Sequence, residues 1–452
     1  MNARVPTELG TERIPKLLKQ YAVPAIIAMT ASSLYNMVDA IFIGHGVGPY
    51  AISGLALTFP FMNLAAAFGT LVGVGASTMA SMLLGQKNYD IARKVLGNVV
   101  VLNFIIGLLF TIVALVFLNP ILYFFGASEN TISYAREYME IILAGNVITH
   151  IYFGLNSLLR SAGHPKKAMA ATIMTVLLNA VLDPLFIFTF DMGIRGAAVA
   201  TILAQIVALI LVVVWFCDKR ELIHFERGIF RLEKRIVKDS IVIGLAPFLM
   251  NFVACFVVIL INMRLKTYGG DLAIGAYGIV NRISFVFIMI VSGLTQGMQP
   301  IAGYNYGARQ MSRVYEVLKK TLLYATVVLT IGFLIGELCP GLVVAIFTDD
   351  PELVEKSIKG MRLVVGMFPL VSLSMVIGNF FQSIGKPKQA IFLSLSRQLI
   401  FLIPSLWLLP LFFDIAGVWV SFMVSDFLAS VVAVILLLNF IRKNKPHEQL
   451  QS

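Results

Sequence analysis

Long apolar stretches, separated by short polar connections, dominate the chain from Tyr21 to Phe440. Each holds roughly 20 to 30 residues, and a helix needs about 20 to cross the hydrocarbon core of a bilayer. The stretches are continuously apolar and do not alternate with a period of two, which favours membrane helices over barrel strands. Twelve spans are predicted, at 15–44, 51–84, 93–118, 131–161, 166–190, 194–217, 238–266, 273–305, 316–346, 354–384, 389–411 and 415–441. The predicted fold class is therefore an all-α membrane protein with twelve transmembrane helices.

The distribution of basic residues predicts the orientation of these helices. The net charge is +11, although only 13% of residues are charged. Seven Lys and Arg residues lie between Asp218 and Lys238, whereas the connections 45–50 and 119–130 contain none. Because positive charge accumulates on the cytoplasmic side, we expect a multi-pass protein of the bacterial inner membrane with both termini cytoplasmic. The basic residues of this loop are then explained by the orientation of the protein in the membrane and by contact with lipid headgroups, and we expect no nucleic-acid partner.

An internal repeat divides the chain into two similar halves. The stretch Gly75–Gly85 recurs as Gly297–Gly307, and 161–166 recurs as 383–388, both with a shift of 222 residues. The prediction is an N-terminal six-helix lobe at 1–220, a cytoplasmic linker at 221–237 and a C-terminal six-helix lobe at 238–452. Six helices per half make the repeats parallel, and such halves commonly rock about a central site to give alternating access. The alternative is that the duplication is only a relic of assembly.

Acidic residues inside the apolar stretches are few and costly, each by roughly 2.5 to 3.5 kcal/mol on insertion scales. They are Asp39, Asp183, Glu337 and Asp426. The helix of Asp39 also holds Pro24, and Asp183 precedes Pro184 directly. Proline removes a backbone donor and frees a carbonyl one turn back, so both helices are predicted to bend there.

Several oxygen ligands are predicted to surround the first two carboxylates. Asn179 lies one helical turn before Asp183, and Ala197 lies one turn before Thr201. Together with Asp39, these groups form the kind of oxygen cage that Na⁺ prefers. Without a metal ion, two neighbouring carboxylates cannot both ionise cheaply, and one carries a proton. Either case predicts a cation site, and a purely structural hydrogen-bonded cluster is the alternative.

The second half serves as an internal control for this site. When the repeat is applied, Asp39 falls on Asn262 and Asn179 falls near Phe401. Asp183 falls next to Pro404, and Thr201 falls on Phe422. A group that only stabilised the six-helix template would be kept in both halves, so coupling is predicted in the first lobe alone. Arg282 and Arg397 in the second half are interpreted as structural ion-pair partners of Glu337 or Asp426.

At this point the chain resembles the multidrug and toxic compound extrusion (MATE) family, and its MepA-like or DinF-like bacterial branch in particular. The resemblance covers nearly the whole chain. The residues that carry it are Leu34 to Gly44, Arg160 to Gly163 with Pro165, Asn179 with Asp183 and Pro184, Gly193 with Gly196 to Ala198, and Gln299 with Pro300 and Gly303. The seventh helix of NorM-like members carries a carboxylate, and residues 245–262 contain none here.

The resemblance implies a V-shaped pair of bundles that exports cationic amphipathic compounds in exchange for Na⁺ or H⁺. It implies cation ligands at Asp39, Asn179, Asp183 and Thr201, a backbone carbonyl ligand at Ala197, and hinges at Pro24 and Pro184. Candidate substrate-cavity residues are Tyr35, Asn36, Asn156 and Gln296. We expect a monomeric transporter without a cofactor and not an enzyme. Two other function classes stay open: a lipid-linked sugar flippase, which would need a cationic cavity, and an intramembrane enzyme, which would need a dense catalytic cluster.

Overall fold

The computed structural model describes residues 6–47, 49–348 and 350–444, and within them the side chains at 34–41, 44–46, 49, 50, 52, 56 and 271 lie outside the description. Throughout the described ranges the regular secondary structure is helical. The first half contains α1 (Glu8–Thr11), α2 (Ile14–Gly46), α3 (Pro49–Gly85), α4 (Tyr89–Val116), α5 (Leu118–Phe124), α6 (Ile132–Ala144), α7 (Asn146–Ser161), α8 (Pro165–Pro184) and α9 (Gly193–Phe216). The second half contains α10 (Lys234–Gly307), α11 (Met311–Leu338), α12 (Pro340–Val344), α13 (Pro351–Val365), α14 (Phe368–Ser383), α15 (Pro387–Leu395), α16 (Ile403–Leu408) and α17 (Pro410–Lys443).

Within the described residues, nine helices are long and apolar enough to cross a membrane, and two bent helix pairs raise the number to 11. Helix α2 adds a further segment of 33 residues, which is also long enough to span. These elements together account for the twelve predicted spans. The predicted spans at 238–266 and 273–305 both lie in α10, which changes direction at Gly270 because that residue has a positive φ of 70°.

Two of the predicted spans are broken helices in the structure. Helices α6 and α7 meet at an angle of 55°, and α13 and α14 meet at 52°. A glycine stands at each break, Gly145 in the first half and Gly366 in the second. The two breaks occupy corresponding positions in the halves, which is a local likeness that the apolar pattern alone did not reveal.

By packing, the chain forms two compact units. One comprises Met1–Cys255, Ser292–Val317 and Gln382–Pro387, and the other comprises Phe256–Val291, Leu318–Phe381 and Lys388–Ser452. These units are defined by spatial contacts, whereas the predicted lobes 1–220 and 238–452 are defined by the sequence repeat. The predicted lobe boundaries therefore stay a prediction.

Very close helix crossings join the two sequence halves inside the first unit. A Cβ atom at Gly75 would overlap the carbonyl oxygen of Ser240, and one at Gly244 would overlap that of Leu71. Only glycine allows α3 and α10 to approach so closely, because any side chain would displace one backbone from the other. The crossing lies where the repeat motif Gly75–Gly85 begins, and it fixes the last part of α3 against α10.

The first bundle holds the helices that matter for the predicted site. Helix α8 packs against α2, α7 and α9, and the π-helical segment Leu185–Thr189 follows it directly. The buried apolar core beside this segment includes Ile187, Ile194 and Ala197. Burial of these side chains fixes the facing surfaces of α8 and α9.

Candidate cation-binding site

Three polar residues predicted from the sequence meet in the interior of the first bundle. The amide nitrogen Nδ2 of Asn179 donates to Oδ1 of Asp183 at 3.0 Å and to Oγ1 of Thr201 at 3.3 Å. Exposure of the three residues is 1% for Asn179, 0% for Asp183 and 4% for Thr201. A single amide thus bridges a carboxylate on α8 to a hydroxyl on α9. Hydrogen bonds to charged groups in such a dry interior are among the stronger ones in proteins.

Local backbone features bring these side chains together. Asn179 and Asp183 are four residues apart and lie on one face of α8. A Cβ atom at Gly196 would press on the backbone of Phe186, so α9 approaches the π-helical segment closely. Pro184 has no N–H to offer to the carbonyl one turn earlier, and the change to π-helix begins at the next residue. Such π-helical turns inside α-helices are frequent at functional positions.

The remaining predicted ligands are placed less completely. Ala197 is fully buried one turn before Thr201 in α9. Asp39 belongs to α2, which packs along α8, but its side chain lies outside the described residues. The same holds for the side chains of Tyr35 and Asn36. Their roles as ligand or cavity residues stay predictions.

The donor set fits a hard cation. Oδ1 of Asn179 is buried and accepts no hydrogen bond from any described residue. An amide oxygen, a carboxylate and a hydroxyl are the ligands that Na⁺ and other hard cations prefer. Among the described residues there is no group of three or more His, Cys, Asp or Glu with metal-binding geometry. The oxygen ligands of Asn179, Asp183 and Thr201 suit a hard cation such as Na⁺, or a proton.

The other predicted site residues, Pro24 and Asn156 in the first half and Gln296 in the second, lie on helices α2, α7 and α10. Pro24 is buried in the interior of α2, and a Cβ atom at Gly297 would press on the neighbouring Ala22. Gln296 donates to the sulfur of Met29 at 3.2 Å. Asn156 is 5% exposed and packs within the bundle. A hinge at Pro24 and substrate contacts at Gln296 and Asn156 stay predictions.

The structure aligns the predicted residues Asn156, Asn179 and Asp183 with four others, Tyr152, Arg160, Thr172 and Thr175, to which the sequence interpretation gave no role in the site. We call the row of polar side chains between α7 and α8 the polar seam; it consists of Tyr152, Asn156, Arg160, Thr172, Thr175, Asn179 and Asp183. The hydroxyl of Tyr152 donates to Oγ1 of Thr172 at 3.3 Å. The spacing of three or four residues on both helices is a visible signal of a shared face. The cost of membrane insertion singles out acidic residues, so it does not point to this largely neutral row.

In the second unit, one of the predicted ion pairs forms. Nε of Arg397 lies 2.6 Å from Oδ1 of Asp426, and the carboxylate is buried. Glu337 pairs instead with Arg362, at 3.9 Å. Arg282 is exposed. The interpretation of Arg397 and Asp426 as partners is correct in geometry, and Arg397 lies in a second π-helical segment, Ser396–Leu402.

Comparison with known proteins gives the family. The family model described as MatE matches residues 24–185 and 246–408, so the two matches begin 222 residues apart, the same shift as the internal repeat. The chain belongs to the MATE family. The predicted family, the twelve-helix fold class and the class of transporter instead of enzyme are thereby confirmed.

Individual relatives agree with this assignment. The multidrug export protein MepA of Staphylococcus aureus (strain MSSA476) is 26% identical over 422 residues, which are 93% of each chain. The MATE multidrug transporter DinF-BH is 36% identical, with a TM-score of 0.89 over 96% of this chain and 97% of that one. A MATE family transporter in an outward-facing conformation shares the fold with a TM-score of 0.93 at 24% identity, over 98% and 100% of the two chains.

Proposed function

We propose that this MATE protein exports cationic amphipathic organic compounds across the cytoplasmic membrane in exchange for Na⁺ or H⁺. The coupling cation binds in the first lobe at Asp39, Asn179, Asp183 and Thr201, with the Ala197 carbonyl as a further ligand. The protein works as a multi-pass monomer with both termini cytoplasmic and needs no cofactor. Relatives named as multidrug export proteins support the substrate class.

The observation that carries the proposal is the Asn179 bridge between Asp183 and Thr201. A buried carboxylate in a membrane helix is costly, and the Asn179 amide that donates to it is neutral. A bound cation offsets part of that cost by adding positive charge beside the carboxylate. In the second half, Asn179 falls on Phe401, Asp183 falls next to Pro404 on Ser405, and Thr201 falls at Phe422, so that half keeps neither the amide nor the carboxylate.

Binding of the cation is coupled to export through the two prolines. Pro24 and Pro184 both interrupt the hydrogen-bond ladders of helices that carry the acidic ligands. A helix with a missing hydrogen bond bends at that point, and a cation that prefers the bent arrangement shifts the population toward it. The bent arrangement closes the cavity and expels the drug.

The test is ethidium movement in proteoliposomes, driven first by an imposed Na⁺ gradient and then by an imposed pH gradient. Asp39→Asn and Asp183→Asn should each abolish the driven movement while the purified protein remains monodisperse. Asp191→Asn is the matched control because Asp191 is exposed between the π-helical segment and α9. Full drug movement by Asp183→Asn under both gradients would contradict the proposal.

A further inference from the structure

The repeat motif ends in the same way in both halves of the chain. Helix α3 ends at Gly85 and helix α10 ends at Gly307, 222 residues later. Two residues beyond each glycine stands a basic residue with a positive φ, Lys87 at 59° and Arg309 at 60°. The repeat therefore places one cationic side chain at the same point of each half, in the turn that leads into the next helix.

The two turns lie side by side because α3 and α10 cross there almost without a gap. A Cβ atom at Gly85 would stand 1.9 Å from the carbonyl oxygen of Tyr304, and one at Gly307 would stand 2.1 Å from that of Met82. No side chain fits at either glycine. All of these residues belong to the first compact unit. The two basic residues are therefore held beside one crossing, although they come from different halves of the sequence.

A cavity of about 520 Å³ opens at this crossing, and Lys87 and Arg309 both line it. Gln86 and Gln310, which carry neutral amides, line it as well. Among the described residues, no Asp or Glu lines the cavity, and neither basic side chain forms an ion pair. Two positive charges that share one cavity repel each other. An anion bound between them would replace that repulsion with attraction.

The cavity lies at the end of the bundle that carries the basic linker. Helix α4 begins at Tyr89, directly after the turn of Lys87. Little more than one turn later, the amine of Lys94 lies 2.6 Å from a carboxylate oxygen of Glu233 in the linker. Lys87 and Arg309 also fall in the polar connections 85–92 and 306–315 between the predicted spans. The cavity therefore lies at the level of the lipid headgroups, where lipid phosphates and soluble anions are both present.

The residue type in these two turns is informative. A position with a positive φ after a helix commonly carries glycine, because a side chain there is strained. Both halves have a long basic side chain at this position instead. Attraction to the helix dipole favours one cation at each helix end, but it does not relieve the repulsion between two cations beside a common cavity. A bound anion does relieve it.

We propose that Lys87 and Arg309 form a binding site for a phosphate group, with one cation contributed by each half of the chain. A phosphate has several acceptor oxygens, so it can accept hydrogen bonds from an ammonium, a guanidinium and the neighbouring amides at once. The phosphate belongs to the headgroup of an anionic lipid or to a soluble compound. In either case it ties the turn after α3 to the turn after α10. The site is separate from the candidate cation site and does not depend on the coupling proposed there.

The test measures thermal unfolding of the purified full-length protein in a neutral detergent. Inorganic phosphate, added at constant ionic strength with chloride, should raise the unfolding midpoint in a saturable way, because a ligand that binds the folded state stabilises it. Phosphatidylglycerol in the micelles is the second probe, and phosphatidylcholine, which has no net charge, is its control. A response to inorganic phosphate alone identifies soluble phosphate compounds as the source. A response to phosphatidylglycerol alone identifies the lipid headgroup, and a response to both shows that the two sources share the site.

Two double variants remove the site. Lys87→Gln with Arg309→Gln removes both charges. Lys87→Gly with Arg309→Gly removes them and also suits the positive φ of both turns, so this variant should fold as well as the unmodified protein. Each double variant should raise the ligand concentration for half-maximal stabilisation by about tenfold or more, as expected for the loss of charge-assisted hydrogen bonds.

The matched control removes the same two kinds of charge from elsewhere on this side of the protein. Lys219→Gln with Arg227→Gln takes one Lys and one Arg from exposed positions of the basic loop, and its response should equal that of the unmodified protein. The proposal is overturned if neither probe gives a saturable rise in the midpoint, or if either double variant at the cavity keeps the original response. It is also overturned if the control loses the response to the same extent, because overall positive charge would then explain the effect.

Discussion

Replacing Asn179 by leucine removes the bridge of the candidate site while keeping a side chain of similar size. The carboxylate of Asp183 loses a hydrogen bond of the charged kind, worth about 1.5 to 3 kcal/mol, and Thr201 loses a neutral one, worth about 0.5 to 1.5 kcal/mol. The cation also loses the amide oxygen as a ligand. For Na⁺, a loss of about 2 kcal/mol in binding through the missing amide-oxygen ligand corresponds to roughly a 30-fold higher Na⁺ concentration for half-maximal export. Proton binding should not weaken in the same way, because the lost N–H donor favours the charged form of the carboxylate.

Thr201→Val provides a smaller step on the same scale. The substitution removes one hydroxyl and leaves the bond from Asn179 to Asp183 in place. A loss of about 1 kcal/mol corresponds to roughly a fivefold shift in half-maximal cation concentration. The expected order of effects is therefore Thr201→Val, then Asn179→Leu, then Asp183→Asn with complete loss.

The assay is the initial rate of ethidium movement in proteoliposomes over a range of Na⁺ concentrations at fixed pH, repeated over a range of pH without Na⁺. Asn103→Leu is the matched control, because Asn103 is buried in the same unit and, among the described residues, its amide donates to Val99 of its own helix alone, at 3.0 Å. It should lower thermal stability without moving the cation dependence. Equal shifts for Asn103→Leu and Asn179→Leu would refute the reasoning, because the bridge would then act only through packing.

Three further outcomes follow from other parts of the structure. Arg397→Met leaves the buried Asp426 carboxylate without its ion-pair partner and should lower the unfolding free energy by roughly 3 kcal/mol. Adding Asp426→Leu to this variant should restore most of the lost stability. Thermal unfolding in detergent measures both variants, and equal stability of the two would contradict a cost from the unpaired carboxylate. Gly244→Ala should lower stability by about 1 to 3 kcal/mol or more because its Cβ meets a backbone carbonyl, while Gly278→Ala, which has open space around it, should not. Burial lowers the pKa of His164 below its ordinary value of 6.5. The unfolded chain therefore binds more protons than the folded protein as the pH falls through that value, and the folded protein becomes less stable. The His164→Gln variant should lose less stability than the unmodified protein between pH 7 and pH 5, and parallel stability profiles of the two proteins would argue against this.

The helical class and the positions of most spans were predictable because lipid leaves the backbone few choices. The meeting of Asn179 with Asp183 was predictable for a similar reason, since a spacing of four residues fixes a shared helical face. The approach of Thr201 from another helix was a hypothesis that spacing alone could not support. Its physical cause is the close packing of Gly196 on the π-helical segment, and no periodicity in the sequence encodes that segment.

Other features depended on partners far away in the sequence. Arg397 and Asp426 are 29 residues apart, and the sequence offered Glu337 as an equally good partner for Arg397. The choice is made by the packing of α17 against the segment Ser396–Leu402. The polar seam was missed for a different reason: neutral hydroxyl groups in apolar helices are common, and only their alignment between two packed helices gives them meaning.

The membership of Ser292–Val317 in the first compact unit has a consequence for how the chain can be divided. A cut in the basic linker, at the boundary of the gene duplication, would separate the first six helices from a segment that completes their packing. Two fragments expressed separately would therefore have to assemble before the first could reach its full stability. The ancestral halves are still visible in the sequence, but they are no longer independent folding modules.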